Sequence, residues 1–177
     1  MTNAFSRTRR YLSLWFPFLP TDRLRAEPSS TCQTPPDAPL VLHARQGGAL
    51  RLVALDAAAA RLGLARGMTL ADARARHPDL AAQEHDAAAD ALWLEQLGQD
   101  CIRFTPHVTL VPPDGIGLDI TGTAHLFGDE AALAEQVEDH CAALGLTVRS
   151  ACAATLAAAH ALACYAPLTV SDEAAAI

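Results

Sequence analysis

Lysine is missing altogether: all thirteen basic residues are arginine, set against twenty acidic ones, and the formal charge is −7. Phosphate contacts supply much of the affinity of nucleic-acid binders, which therefore carry a basic face. A net-acidic chain is not expected to bind DNA strongly by itself. The arginine bias reads as codon composition rather than as mechanism. Paired cysteines are missing too: Cys32, Cys101, Cys141, Cys152 and Cys164 are odd in number and form no Cys-x-x-Cys. No zinc or other metal site with closely spaced ligands is expected, and free thiols in a reducing cytoplasm are the plain reading. No signal peptide is visible. The apolar run from Leu12 to Pro20 is broken by prolines and far too short to span a bilayer, so no membrane partner is expected. There is no internal repeat.

What is present reads as globular. The chain has 177 residues, of which 51% are hydrophobic and 19% charged, enough for one domain or a domain with a small appendage. Arg7, Arg9, Arg10, Arg23 and Arg25 cluster early. They read as a solvated tail, with phosphate contact as the alternative.

Residues 1–9 form the expected tail, and Tyr11 to Phe16 reads as a buried strand ended by Pro17 and Pro20. Asp22 is expected to cap a short helix running to Glu27, and 28–39 to be a loop. Leu40–His43 and Leu50–Leu55 bracket Gly47-Gly48 and predict a hairpin. Asp56 and Thr69 cap two short helices, the first stopped by Gly63 and the second carrying Leu70, Ala73 and Ala75 as its apolar members. Asp86 to Arg103 predicts a longer helix with Leu92, Trp93 and Leu97 facing inward. Strands follow at 108–111 and 116–120, joined by the turn Pro112-Pro113-Asp114-Gly115. A helix over 129–144, a strand over 147–153 and a helix over 155–165 complete the pattern, with a tail from 166 to 177.

The order is β, an α/β insertion, then β-β-α-β-α. It predicts an α/β (α+β) fold: a ferredoxin-like palm with a small inserted fingers subdomain. The expected palm is 10–27 with 106–165, and the expected insertion is 28–105.

Three segments carry a resemblance. Tyr-Leu-Ser-Leu-Trp-Phe-Pro-Phe-Leu stands at 11–19. Gly-Leu-Ala-Arg-Gly-Met-Thr-Leu-Ala-Asp-Ala stands at 63–73, followed by His-Pro-Asp-Leu at 77–80. Pro-Asp-Gly-Ile-Gly-Leu-Asp-Ile-Thr-Gly stands at 113–122, followed by His-Leu-Phe-Gly at 125–128. In order and spacing they resemble the palm and fingers of Y-family (UmuC-like) DNA polymerases, over roughly residues 10–165.

Such enzymes need two magnesium ions held by carboxylates, because Mg²⁺ is hard and takes oxygen ligands. The resemblance implies one carboxylate on the first strand and an Asp-Glu pair in the third segment. Here the first-strand position is Trp15, and the next acidic position is Pro17. Asp114 matches the family's Asp, but Gly115 stands where the Glu belongs. Asp119 matches a further Asp that reads as structural. The implied triphosphate contacts are likewise replaced, by Ala57, Ala60 and Leu156, although the steric-gate region keeps Phe18. Asp114 is then a vestigial position, read first as a turn-former, and Trp15 a filler of vacated space. No catalytic residue, cofactor or metal is expected.

This pattern resembles the degenerate ImuB type of the family. The resemblance implies a non-catalytic role in DNA-damage tolerance and SOS-induced translesion mutagenesis. There the full-length protein links an error-prone replicative-type DNA polymerase to the sliding clamp, with weak DNA contact as a possibility left open. The implied location is cytoplasmic. In that type the clamp-binding peptide lies beyond the polymerase core, so the chain reads as a fragment or a truncated product, with apolar surface exposed where further parts would dock. Two alternatives stand beside it: an active translesion polymerase with atypical metal ligands, and a ferredoxin-like interaction domain of unrelated function. His107 and His125 lack partner carboxylates in sequence and read as structural or exposed. Ser13 has no His or Asp motif around it, so no nucleophilic triad is expected. Glu130, Glu135, Glu138 and Asp139 read as the solvated face of a helix, with a protein partner as the alternative.

Overall fold

The structure is a computed structural model that describes residues 8–26, 35 and 38–166. Cys32, Arg7 and the tail after 166 lie outside the described residues.

Among the described residues, seven strands form two sheets. β1 (Tyr11–Trp15), β5 (Val108–Val111), β6 (Gly115–Asp119) and β7 (Arg149–Ala153) make an antiparallel sheet in the order β5-β6-β1-β7. This is the ferredoxin-like order, reached because β1 leaves room on each side for strands that arrive much later. β2 (Leu40–Gln46), β3 (Ala49–Leu55) and β4 (Ala81–Glu84) make the second sheet, in the order β3-β2-β4. Gly47 and Gly48 both take positive φ (57° and 80°), which the tight turn between β2 and β3 requires. Strand β4 was not expected: Ala-Ala-Gln-Glu has low strand preference, and its parallel pairing with β2 supplies what the sequence does not.

Six helices accompany the sheets: α1 (Leu19–Ala26), α2 (Ala57–Arg61), α3 (Leu70–Arg76), α4 (Ala87–Asp100), α5 (Glu130–Ala143) and α6 (Leu156–Tyr165). The expected caps Asp56 and Thr69 are present, and Asp86, Asp129 and Thr155 act in the same way. The side chains of Asp56, Thr69, Asp86, Asp129 and Thr155 each accept from a backbone N–H in the following turn. The cap of α1 differs. The helix begins at Leu19, so Pro20 sits in its first turn, where a missing N–H costs nothing. Asp22 is not the cap: it is buried and accepts from the backbone N–H of Thr147 at 2.8 Å.

Strand alternation divides the first sheet. Leu12, Leu14, Phe16, Ile116, Leu118 and Ile120 point to one face and meet Leu94 and Leu97 of α4 and Leu133 and Val137 of α5. Helix α4, expected within the insertion, therefore packs in the core of the four-stranded sheet. Gly98 makes the approach close: a Cβ there would lie 2.7 Å from a methyl of Leu110. Leu92, expected to face inward, is 60% exposed, and Ala75, expected among the apolar members of α3, is also exposed. The second sheet has its own core, with Val41, Leu52, Ala59, Leu64, Leu70, Ala73 and Leu80.

Three of the early arginines, Arg10, Arg23 and Arg25, are engaged within the fold. Arg10 forms a two-pronged pair with Glu130 (2.8 and 2.6 Å), so Glu130 ties α5 to β1 rather than simply facing solvent. Buried Arg23 donates to Asp90 at 2.7 Å, and His85 Nε2 lies 2.8 Å from the other Asp90 oxygen. Arg25 pairs with Asp56 at 2.7 Å and also donates to the carbonyl of Ala38. α1 is thereby fastened to α4 by one pair and to the start of α2 by the other. The four described cysteines are free thiols, and burial pushes the Cys101 thiol up to about 11 and that of Cys141 to about 12. No helix among the described residues is long and apolar enough to cross a membrane.

Removing one partner of a buried ion pair leaves the other charge desolvated. Asp90→Ala is expected to cost about 3 kcal/mol or more in urea unfolding. Asp22 generates a pH dependence. Burial raises its carboxyl from 3.8 to about 6, against the opposing pull of the Thr147 N–H. The folded state then holds this proton more tightly than the unfolded state does. The contribution to stability is full below about 3.8 and is lost as pH rises through about 6. Thermal unfolding of wild type against Asp22→Asn across pH 4–7 is expected to show that falling contribution in the wild type alone.

Candidate functional site

The second face of the four-stranded sheet carries Tyr11, Ser13 and Trp15 on β1. It carries Gly115, Gly117 and Asp119 on β6, and Arg149 and Ala151 on β7, in register opposite them. Trp15 stands directly between Gly115 and Arg149. The backbone N–H of Phe16 donates to the carbonyl of Asp114 at 2.9 Å and fixes the β5–β6 turn beside the end of β1. The fold thus brings Trp15, Gly115 and Asp114 together from positions a hundred residues apart.

Helix α6 covers this face because β6 presents glycine to it. A Cβ at Gly117 would lie 2.3 Å from Leu156 Cδ1, and one at Gly115 would lie 3.0 Å from both His160 Cε1 and the carbonyl of Val111. His160 Nδ1 lies 3.3 Å from the Ser13 hydroxyl, and its Nε2 lies 3.6 Å from the Cys164 sulfur. Arg149 stacks over the Trp15 ring with 5.7 Å to its centroid, and donates to the carbonyls of Cys164 and Ala166 at the end of α6. Burial and the nearby Asp114 charge both raise the Cys164 thiol, while Arg149 works in the opposite direction.

Sequence reasoning missed His160, the histidine beside Ser13. The two are separated by 147 positions, and no spacing rule connects them. The pair is not a nucleophilic site: Ser13 is fully buried, and the other ring nitrogen meets a thiol rather than a carboxylate. His107 and His125 are exposed. Burial favours raising the Asp119 carboxyl, but hydrogen bonds from Thr121 outweigh it and hold it below the usual range. Asp119 orders the chain after β6, as expected.

A cavity of about 380 Å³ lies between the two sheets. Ala54, Leu94 and Leu110 form much of it, with Asp114 and the Asp90–His85 pair on its walls. Ala57, Ala60 and Leu156 do not line it. Ala57 and Ala60 lie on α2, and Leu156 is spent on packing over Gly117. Among the described residues, no three His, Cys, Asp or Glu side chains are grouped closely enough to hold a metal.

The model of the impB/mucB/samB family matches residues 33–163. The chain belongs to that family. It is 46% identical over 106 residues to Protein ImuB of Caulobacter vibrioides, in both strain NA1000 / CB15N and strain ATCC 19089. The match covers 60% of this chain and 23% of that protein, so the chain spans about a quarter of the length of these relatives. Among solved structures it is similar to the insertion ternary complex of Dbh DNA polymerase (TM-score 0.73, 15% identity), covering 90% of this chain and 46% of that one. It is also similar to DinB from Sulfolobus solfataricus (TM-score 0.69, 16% identity), covering 87% of this chain and 45% of that one. The fold is that of the palm and fingers of Y-family polymerases, and the chain is their ImuB-like homologue.

Gly115→Glu is expected to cost about 1–3 kcal/mol in urea unfolding through overpacking. His160→Ala in the same chain should restore part of the loss but not all, since the Val111 carbonyl cannot yield.

Proposed function

We propose that this ImuB-like protein acts in DNA-damage tolerance and SOS-induced mutagenesis as a non-catalytic scaffold or adaptor. In its full-length form its partners are an error-prone replicative-type polymerase and the sliding clamp. The observation that carries this reading is the composition of one corner of the sheet. Trp15 and Gly115 are neighbours on paired strands, and neither has an oxygen ligand for a hard cation. In this reading they are the lost metal positions and Asp114 is the vestige of a third. Losing a metal-bearing carboxylate removes a transition-state contribution of about several kcal/mol, and here two are gone. Ala57, Ala60 and Leu156 are read as lost triphosphate contacts.

The packing on this face supports the same reading. His160 occupies the approach to position 115, and the Trp15–Arg149 stack fills the neighbouring strand positions. A carboxylate pair reinstated there would meet a helix, not a solvent-filled metal site. Arg10, Arg23 and Arg25 are engaged within the fold, which leaves weak DNA contact to other surfaces. We place the protein in the cytoplasm, as its role requires.

Primer extension tests the proposal. The chain, and a longer form reaching the length of its ImuB relatives, are each supplied with Mg²⁺ or Mn²⁺ and four deoxynucleotides. No incorporation by either is expected. Incorporation by the longer form that is abolished by Asp114→Ala would instead establish an active polymerase with atypical ligands.

A further inference from the structure

The cavity between the two sheets has a chemistry that the scaffold reading does not by itself use. Its floor is apolar and inaccessible: Ala54 is 3% exposed and Leu94 2%. Val53, Leu110 and three prolines continue the apolar surface. Of the charged groups on its walls Asp90 and His85 are already paired, while Arg66 is an exposed cation that meets no carboxylate among the described residues. Asp90 is taken by Arg23 and His85, and the guanidinium of Arg66 reaches the carbonyl of Pro17 at 3.5 Å. Two are not satisfied. The carboxylates of Asp114, half-buried, and Glu95, exposed, accept no hydrogen bond and join no ion pair among the described residues.

An apolar pocket with a few convergent polar groups is the usual form of a binding site. The signs of the charges select what enters it. A nucleoside triphosphate would bring its negative charge toward two bare carboxylates. A guanidinium or ammonium would be attracted by both, and a pair between arginine and carboxylate gains further when partly desolvated. The single Arg66 does not reverse the balance. We propose that this cavity is a docking site for a protein segment presenting an apolar side chain next to an arginine or lysine. The apolar chain would enter against Leu94 and Leu110, and its cation would face Asp114 and Glu95. This rests on the non-catalytic reading, since an enzyme would need the same space for its nucleotide.

The test is an NMR titration of the methyl-labelled 177-residue chain. The probes are acetyl-leucyl-arginine amide, acetyl-leucyl-glutamate amide, and deoxyadenosine triphosphate with Mg²⁺. The arginine peptide is expected to shift the methyls of Ala54, Leu94 and Leu110 with an affinity about tenfold above that of the glutamate peptide. The Asp114→Asn, Glu95→Gln chain is expected to lose that preference. Equal responses to the two peptides, no response to either, or shifts confined to other surfaces overturn the docking proposal and leave the non-catalytic reading standing. Displacement of the arginine peptide by the Mg²⁺-bound nucleotide overturns both.

Discussion

The close approach of α6 to the sheet, which β6 allows by presenting glycine, governs much of this molecule. Any side chain at Gly117 would meet Leu156, and one at Gly115 would meet His160. Because the helix lies this near, Ser13 is sealed under His160, and Arg149 reaches the carbonyls at the helix end while stacking on Trp15. The face is therefore a packed layer joined by apolar contact, a hydrogen bond and a cation–π stack. A packed layer is dense, and volume added to it must displace something. That property separates this corner from a metal site, which needs open positions and oxygen ligands.

The other face works by a different rule. Leu12, Leu14, Ile116 and Leu118 are driven against α4 and α5 by burial of apolar surface. The segment between α1 and α4 carries its own sheet and its own small core. It is attached both by charges and by Leu24 of α1, which packs against Leu40, Leu42 and Ala54. Arg23 reaches Asp90 and Arg25 reaches Asp56, so one helix of eight residues is tied to α4 and to the start of α2. Such buried pairs add specificity of position more than net stability over an apolar alternative. The cavity lies beside this junction, and Asp90 serves both as anchor and as wall.

The ImuB-like core has the shape of a Y-family polymerase palm and fingers. The corner around Trp15 and Gly115 is filled, and the space between the sheets keeps an apolar interior with carboxylates at its edge. Matching of the whole fold to polymerases at about 15% identity fixes the shape alone. What the molecule does follows from side chains at a few positions within that shape.

The sequence by itself determined the local structure. Asp56, Thr69, Asp86, Asp129 and Thr155 mark helix starts because a short polar side chain satisfies a free N–H one turn ahead. Gly47-Gly48 marks a hairpin because both positions need positive φ. The three resembling segments indicated the family. Tertiary structure alone decided the rest. β4 exists because β2 offers an edge, and Asp22 left its expected cap for Thr147, 125 residues away. His160 against Ser13, Arg149 over Trp15, and the bare carboxylates of Asp114 and Glu95 around one cavity are long-range juxtapositions. Local sequence records what a residue can do. Only the packing of distant segments records what it meets.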